Sequence, residues 1–249
     1  MDSIALDIVH SFRFEICTMR KNTKLSLFTL FSLVVFSSTA TAQIVIDDFT
    51  DGSAIAQFTV GATVSQTTTG AGILGSQRVD TLTVPAVPMA FMGLVGFNVN
   101  GDLSVGQGPS DEISGSLVYD ALAGFDLTGG GTLNAFQLNF TSSDSSILPI
   151  VGSLTLSATS GGTTASQLVD IPPFAVLPAP AVPVVVQFAD FSGLDFSSVD
   201  SVSLSFDFAD NPGTDFSLAS FEAVEAVPEP GSLALLSMAS LVLLRRRRM

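Results

Sequence analysis

The sequence predicts an all-β protein, an antiparallel β-sandwich of jelly-roll type. Between residues 43 and 225, apolar side chains recur with period two far more often than with the 3.6-residue period of a helix. Turn signals rich in glycine, asparagine and aspartate separate these apolar segments. Many short strands joined by such turns, without a long amphipathic helix between them, are typical of two packed antiparallel sheets.

Eleven segments carry the strand pattern. The clearest is 201–208, in which apolar residues at the even positions share one face and polar residues share the other. Each such strand has one face to bury, and fifteen phenylalanines between residues 43 and 225 are available for the common core. The other predicted strands are 44–49, 55–60, 79–84, 90–95, 113–119, 135–140, 153–158, 168–171, 184–188 and 216–224.

One proline-rich segment interrupts this series at residues 171–184. Proline fixes the backbone angle φ and favours an extended chain, so the segment is predicted to be extended. We interpret it as a connection that crosses between the two sheets, because both flanks are hydrophobic enough to share one core. A linker between two domains is the alternative.

The N-terminal region has the layout of a secretory signal peptide. From Met19 it has a basic start, an apolar stretch over residues 25–36 and an Ala-x-Ala end formed by Ala40 and Ala42. This pattern predicts cleavage between Ala42 and Gln43. The residues before Met19 do not fit such a signal, so we take Met19 as the true start, with a genuine N-terminal extension as the alternative.

The C-terminal region combines three parts in a short space. The motif Val227-Pro228-Glu229-Pro230 precedes an uncharged apolar segment, 232–244. A helix of that length reaches about 20 Å, against a hydrocarbon thickness of about 30 Å, so the predicted transmembrane helix is short. Clustered cations stay on the cytoplasmic side, which places the preceding body outside. The basic cluster consists of Arg245, Arg246, Arg247 and Arg248.

These three parts resemble the PEP-CTERM sorting signal of bacterial exported proteins. The resemblance implies passage through the secretory translocon, a transient stay in the inner membrane, and processing near Pro228-Glu229-Pro230 by the membrane protease-transpeptidase exosortase. The product would then be released or joined to a carrier at the cell surface. The predicted organisation is therefore an extension and signal peptide at 1–42, a β-sandwich at 43–225 and a sorting signal at 226–249.

The body also resembles a recurring layout of exported PEP-CTERM proteins of environmental bacteria, which look like lectin-type sandwiches without an established biochemical activity. Two departures stand at Ser76 and Ala121, where that layout has glycine. The segments that carry the resemblance are 73–78, 119–120, 124–128, 189–191 and 196–202.

Composition excludes several kinds of chemistry in residues 43–225. This stretch has one cation, Arg78, against nineteen acidic residues, a formal charge of −18, and it contains no His, Cys, Lys or Trp. Nucleic acid and anionic lipid are poor partners for such a surface, because binding them requires clustered cations. Nucleophilic triads and His or Cys zinc sites lack their residues. Paired carboxylates remain, but no spacing singles out two of them, so we expect no enzymatic activity.

Acidic loops raise the possibility of calcium, a cation that binds carboxylate and carbonyl oxygens. None of them reproduces a regular calcium-binding loop, and the competing interpretation is that these aspartates shape turns through backbone amides. No cofactor is therefore assigned. The candidate groups are Asp47, Asp48 and Asp51, then Asp207, Asp210 and Asn211, and finally Asp120 and Asp126.

Two single side chains, Arg78 and Tyr119, deserve separate predictions. Arg78 is expected to neutralise a buried or half-buried carboxylate such as Asp80, with ligand binding as the alternative. Tyr119 is expected in the core with its hydroxyl group at solvent.

From the sequence we expect an exported protein of the cell surface or extracellular polysaccharide matrix with a structural or adhesive role. A lectin-like carbohydrate-binding module, with or without calcium, is the alternative.

Overall fold

The structure is a computed structural model that describes residues 42–56, 61–84, 94–97, 101–108, 112–144, 150–173 and 181–226. The predicted signal-peptide helix and the predicted C-terminal apolar helix lie outside these residues. Within the described ranges, no helix is both long enough and apolar enough to cross a bilayer. The helical turns described there are the short 3₁₀ turns Leu74–Ser76 and Phe188–Asp190.

Thirteen β-strands occur in the described residues, and they form two antiparallel sheets around one core. The predicted antiparallel sandwich is confirmed. In chain order the strands are β1 (Gln43–Asp47), β2 (Ile55–Ala56), β3 (Thr63–Thr69), β4 (Gln77–Thr83), β5 (Leu94–Phe97), β6 (Leu103–Gly106), β7 (Ser114–Tyr119), β8 (Ala135–Asp144), β9 (Ile150–Ser160), β10 (Thr163–Ile171), β11 (Val182–Gln187), β12 (Ser201–Asp207) and β13 (Asp215–Val224).

The strand order differs from the chain order in both sheets. The seven-stranded sheet runs β11-β8-β13-β6-β5-β2, and β1 pairs with β13. The six-stranded sheet runs β10-β9-β12-β7-β4-β3. β13 pairs with β6 near its beginning and with β1 at its end, where Gln43 lies opposite Val224. The first and last strands of the body are therefore direct neighbours.

Apolar and polar side chains alternate along the strands, and the apolar side chains form the core between the sheets. In β12, Val202, Leu204 and Phe206 are buried while the intervening serines are half-buried on the other face. Phenylalanines from both sheets and from the loops meet in the interior. Phe188 and Phe196 stack with ring centroids 4.0 Å apart. Each fully buried phenylalanine stabilises the fold by about 1.5–3 kcal/mol relative to an exposed one.

Two strands were not predicted from the sequence. β3 (Thr63–Thr69) has one apolar side chain, Val64, so it lacks the alternation that marks the other strands. It forms nonetheless, because β-branched threonines suit an extended backbone and β4 offers a complete set of partners at the edge of the sheet. β6 (Leu103–Gly106) is too short for its period to stand out.

Connections follow the turn chemistry of the sequence. Gly161 and Gly162 join β9 to β10 with φ values of 56° and 79°, the pair of positive angles that a two-residue hairpin of type I′ requires. The proline-rich segment joins β10 of the six-stranded sheet to β11 of the seven-stranded sheet. Val169 and Val186, on either side of this segment, belong to the same core, as the interpretation of a crossing connection requires.

Candidate functional site

The sole cation of the body lies at the centre of a buried polar cluster. The Arg78 side chain, 1% exposed, projects inward from β4 and forms ion pairs with Asp80 on the same strand and Asp47 on β1. Its Nε donates to Asp80 Oδ1 at 2.5 Å, and a terminal nitrogen donates to Asp47 Oδ2. The predicted neutralisation of Asp80 is confirmed. A guanidinium group that is buried to this extent has no route to a ligand in solvent.

Neighbouring side chains complete the cluster from three further strands and loops. The Tyr119 hydroxyl, on β7, donates to Asp47 Oδ2 at 2.8 Å, and Thr68 Oγ1, on β3, donates to Asp80 Oδ2 at 2.8 Å. Tyr119 is fully buried, so the expectation of a hydroxyl at solvent is wrong, because Asp47 provides an internal acceptor. Arg78 also lies over the Phe49 ring, 5.8 Å from its centroid. The cluster therefore connects the two sheets.

Burial governs the protonation of this cluster. It raises the pKa of the Asp47 carboxyl group above its ordinary value, although the Arg78 charge lowers it. Burial, and then the charge of Asp47, raise the pKa of the Tyr119 hydroxyl well above 10, so Tyr119 keeps the proton that it donates. Burial alone would lower the pKa of Arg78, but the surrounding oxygens of Tyr119 and the carboxylates raise it. Arg78 is therefore protonated throughout the ordinary pH range.

The loop beside the cluster is held by two close backbone approaches. Gly72 N donates to Asp51 Oδ2 at 2.9 Å, and a Cβ atom at Gly72 would stand 2.1 Å from Asp48 Oδ1. A Cβ atom at Gly70 would stand 2.0 Å from Asp51 Oδ2. A side chain at either position would therefore displace the aspartate side chain that lies against it. The Asp51 carboxylate, a candidate for calcium, joins the loop after β1 to the loop after β3, whereas the Asp48 carboxylate, also a candidate, accepts hydrogen bonds from Thr50 within its own loop.

Two of the other candidate calcium acids, Asp126 and Asp207, also accept hydrogen bonds from nearby backbone. Asp126 accepts hydrogen bonds from Thr128 N at 2.8 Å and Gly130 N at 3.0 Å, and Asp207 accepts one from Ala209 N at 3.0 Å. Hydrogen bonds from Thr128 and Gly130 lower the pKa of Asp126 below its ordinary value. No group of three or more acidic, His or Cys side chains in the described ranges has the geometry to hold a metal ion. Hydrogen bonds of this kind are expected if these aspartates shape turns, as in the competing interpretation.

The segments that resemble the recurring layout of exported PEP-CTERM proteins contact one another in the fold. Gly75, with a φ of 72°, packs against the carbonyl oxygen of Ala121, which a Cβ atom at Gly75 would approach to 3.0 Å. Phe125 and Val199 form an antiparallel bridge, and Leu127 N donates to Phe196 O at 3.0 Å. The recurring layout therefore corresponds to contacts between segments that are far apart in the chain.

Most outward side chains of the six-stranded sheet carry hydroxyl groups, and we call this surface the hydroxyl face. Gln77, Val79, Val118 and Leu168 interrupt it. Pairs on adjacent strands are within hydrogen-bonding distance, such as Thr63 with Thr83 at 3.0 Å and Ser157 with Ser166 at 2.8 Å. The face consists of Thr63, Ser65, Thr67, Thr69, Thr81, Thr83, Ser114, Ser116, Thr155, Ser157, Thr159, Thr164, Ser166, Ser201, Ser203 and Ser205.

Charge is nearly absent from this surface. Among the described residues of the six strands, the charged side chains on the outer face are Asp170 and Asp207, both towards one end.

The outward side chains are aligned in rows across the strands. One row consists of Ser65, Thr81, Ser116, Ser205, Thr155 and Leu168, and Leu168 is 68% exposed. Such rows repeat about every 6.8 Å along the strands, with side chains about 4.8 Å apart across them.

Sequence reasoning did not single out the hydroxyl face. The signal was nevertheless present, because serine or threonine recurs at alternate positions of 155–159 and 201–205. Only the sheet order shows that these segments are neighbours.

The two ends of the body lie together. Gln43, the residue after the predicted signal cleavage, pairs with Val224 at the end of β13. Ala226 N then donates to Asn134 Oδ1 at 2.7 Å. Ala40, the sorting motif Val227-Pro228-Glu229-Pro230 and the basic cluster 245–248 lie outside the described residues, so both cleavage sites stay predictions.

Comparison with family models supports the sorting signal. Residues 226–248 match the model of the PEP-CTERM protein-sorting motif. The resemblance inferred from the C-terminal residues is thereby confirmed. No curated protein matches the chain at a significant level.

Several solved structures match this chain at low similarity. The family 11 carbohydrate-binding module of a cellulosomal cellulase of Clostridium thermocellum is 13% identical, with 77% of this chain and 99% of that chain covered and a TM-score of 0.35. A solution structure of CtCBM11 is 14% identical, with the same coverage and a TM-score of 0.36. A variant of a family 29 carbohydrate-binding module is 10% identical, again with the same coverage, at 0.30. Similarity at this level carries no argument about function.

Proposed function

We propose that this chain is an exported protein processed by an exosortase-like enzyme, because it carries a PEP-CTERM protein-sorting motif at residues 226–248. We propose further that its β-sandwich has a non-catalytic, structural or adhesive role at the cell surface or in the extracellular polysaccharide matrix. The observation that carries the proposal is the matched motif, which begins where the last described strand has ended. A sorted chain reaches the outside through the inner membrane, so that membrane is a transient location.

Features of the body support a non-catalytic role. Residues 43–225 contain no His, Cys or Lys, so a serine or threonine there has no imidazole or amine to act as its base. Its one arginine is committed to a buried ion-pair cluster. Three of the acids that were candidates for calcium, Asp51, Asp126 and Asp207, accept hydrogen bonds from backbone amides of loops and turns. What the body offers to solvent is a large and nearly uncharged sheet surface.

Replacing the motif tests the sorting proposal. In the native host, the variant with Pro228→Ala, Glu229→Ala and Pro230→Ala should accumulate as a longer chain and be lost from the surface and the medium. The intact mass of the wild-type product should correspond to a chain from Gln43 to near Pro228. The variant with Ser232→Ala and Ser237→Ala, which leaves Pro228-Glu229-Pro230 unchanged, is the matched control. A wild-type mass that retains Arg245–Arg248 in every fraction would show a permanent anchor instead.

A second candidate function is binding of a neutral polysaccharide through the hydroxyl face. The specific observation is the contrast between a body of formal charge −18 and a sheet surface whose charges are confined to one end. A neutral glycan could exchange hydrogen bonds with such rows without meeting carboxylate repulsion, whereas an anionic glycan would be repelled by the body as a whole. The absence of Trp and the single Tyr limit stacking on sugar rings, so affinity would depend on many weak polar contacts.

Pull-down with insoluble neutral and anionic polysaccharides tests this candidate. The wild-type protein should be retained on the neutral polymer, and the triple variant Thr81→Ala, Ser116→Ala and Ser205→Ala should be retained less. The matched control replaces Ser104 and Ser217, a hydroxyl pair 3.0 Å apart in the other sheet. Repeating the assay with a chelator shows whether binding depends on calcium. Equal retention of the triple variant and the control would exclude the hydroxyl face.

A further inference from the structure

One edge strand of the six-stranded sheet, β3, presents a free row of backbone groups. Among the described strands β3 pairs with β4 alone, and the register does not shift along its length. At the two ends of this pairing, Val84 N donates to Ala62 O and Gly70 N donates to Ser76 O. Because hydrogen-bonded positions alternate along an antiparallel pair, the even-numbered residues of β3 bond to β4. The odd-numbered residues therefore direct their N–H and C=O groups away from the sheet.

The residues at this edge are exposed and uncharged. No charged residue occurs in 61–69, although residues 43–225 have a formal charge of −18. Two copies of so acidic a body repel one another, so contact between them is favoured where charge is absent. The exposed residues that direct their backbone groups outwards, with side chains on the hydroxyl face, are Thr63, Ser65, Thr67 and Thr69.

The other edge strands carry features by which natural sheets avoid pairing with further strands. β11 contains Pro183, and β2 spans two described residues. β10 carries the exposed Asp170 beside a register irregularity, and β1 is irregular between Val45 and Asp47. Short strands, proline, charge and bulges all oppose association between sheet edges. Among the described strands, β3 is the edge strand that has none of these features.

We propose that β3 is a self-association surface, at which two copies of this chain pair antiparallel and join their six-stranded sheets. With Gln66 on the two-fold axis, Thr63 lies opposite Thr69 of the second copy, and Ser65 lies opposite its Thr67. This register uses the whole strand. Each outward residue exchanges two hydrogen bonds with the residue opposite, about eight in all. The contact is isologous, so it closes at two copies.

Salt should strengthen this association. The contact itself contains no charge, and the two acidic bodies beside it repel one another. Added salt screens that repulsion, so the fraction of dimer should rise with ionic strength. A contact held by ion pairs would have the opposite dependence, and a dimer fraction that falls as salt is added would overturn the inference.

Sedimentation equilibrium of the full-length chain in a density-matched non-ionic detergent measures the mass. The wild type should approach the mass of two copies as its concentration rises. Thr67→Pro removes an outward N–H that β4 does not use, so it should reduce this mass by about half. Thr164→Pro is the matched control and should keep the wild-type mass. Thr164 is exposed on the edge strand β10, and its N–H also points outwards, because Thr163 and Ser160 form the hydrogen-bonded pair beside the hairpin turn.

Disulfide cross-linking tests the register without a proline substitution. Residues 43–225 contain no Cys, and Cys17→Ser removes the one elsewhere in the chain. In that background, a mixture of Ser65→Cys and Thr67→Cys chains should form pairs with one chain of each kind. The reason is that hydrogen-bonded residues of antiparallel strands have Cα atoms about 5.5 Å apart, a separation that a disulfide spans. Either variant alone should remain uncross-linked.

Several results would overturn the inference. They are a wild-type chain that keeps the mass of one copy at every concentration, growth beyond two copies, and a Thr67→Pro chain with the wild-type mass. Cross-linking of either cysteine variant alone to the extent of the mixture would also do so. None of these measurements depends on processing at the sorting motif, so their failure leaves the sorting proposal unaffected.

Discussion

The two faces of strand β4 are chemically opposite, and each is unusual for its position. Towards the core, β4 carries the buried charges Arg78 and Asp80, whereas towards solvent it carries Val79 and Thr81, which are half-buried and uncharged. A strand at the surface of an acidic protein ordinarily places charge outside and apolar groups inside. Here the ion pairs are internal and the solvent face is neutral.

The difference shows where this fold derives its specificity. A buried ion pair is weak evidence for net stability, but removing one partner is costly because the other charge is left without compensation. Arg78 joins β1 to β4, two strands of different sheets that are 31 residues apart at the contact. We therefore expect the cluster to favour this arrangement of the sheets over others, while the outer face stays available for contacts with uncharged material. The predictions below test this contrast.

The largest effect is expected from removing the internal cation. Arg78→Met leaves Asp47 and Asp80 buried without their partner, which should lower the free energy of unfolding by about 3–5 kcal/mol. Denaturant-induced unfolding measures the change. Gln77→Met introduces the same residue one position earlier on the outward face and should change stability by less than about 0.5 kcal/mol. Equal effects of the two substitutions would contradict the contrast between the faces.

A smaller effect is expected from the hydroxyl group that supports Asp47. Tyr119→Phe removes a hydrogen bond to a buried carboxylate and should lower the free energy of unfolding by about 1.5–3 kcal/mol. Because the Tyr119 hydroxyl lowers the pKa of Asp47, the pKa of Asp47 should rise further in the variant. Carboxyl-carbon NMR titration measures it. A fall in the pKa of Asp47 would show that Tyr119 does not donate to it.

On the outer face, a hydroxyl group should contribute little to folding. Ser205→Ala on β12 leaves the buried neighbours Leu204 and Phe206 in place and should change the free energy of unfolding by less than about 0.5 kcal/mol. The same unfolding experiment checks it. A loss of 2 kcal/mol or more would mean that the hydroxyl rows hold the sheet together, and a role in binding would then need other support.

The smallest effect is expected at the turn acid Asp126, and it depends on pH. Since the folded-state pKa of Asp126 lies below its unfolded value of 3.8, its contribution to stability is present above pH 3.8 and is lost as the pH falls through the folded pKa. Asp126→Asn should therefore be slightly less stable than the wild type at neutral pH, and the two should converge in acid. Unfolding curves between pH 7 and pH 2 measure the difference. A difference in stability that widens in acid would contradict the lowered pKa of Asp126.

Asp47, whose pKa is raised, has the opposite dependence on pH. Its contribution to stability increases as the pH falls towards 3.8.

Prediction from the sequence succeeded where one strand carries its own signal. Residues 201–208 alternate strictly, and β12 (Ser201–Asp207) lies where the alternation predicted it. It failed for β3 (Thr63–Thr69), whose polar sequence becomes a strand because an adjacent edge is available. For the candidate site, Asp80 could be assigned to Arg78 from their spacing on one strand, but Tyr119 was placed with its hydroxyl in water, because no local pattern indicates an acceptor on another sheet.

By itself, the sequence determined the sandwich class, the C-terminal sorting motif and the need of the lone Arg78 for an acidic partner. Periodicity, a contiguous signal and charge balance are local or compositional properties, so they can be read along the chain. Only the tertiary structure decided that Asp47 and Tyr119 lie beside Arg78 and that hydroxyl groups of six strands form one face. It alone also placed Asn134 where its side chain accepts a hydrogen bond from Ala226 N. These depend on strand order and register, which are set by how the whole core packs and by no single segment.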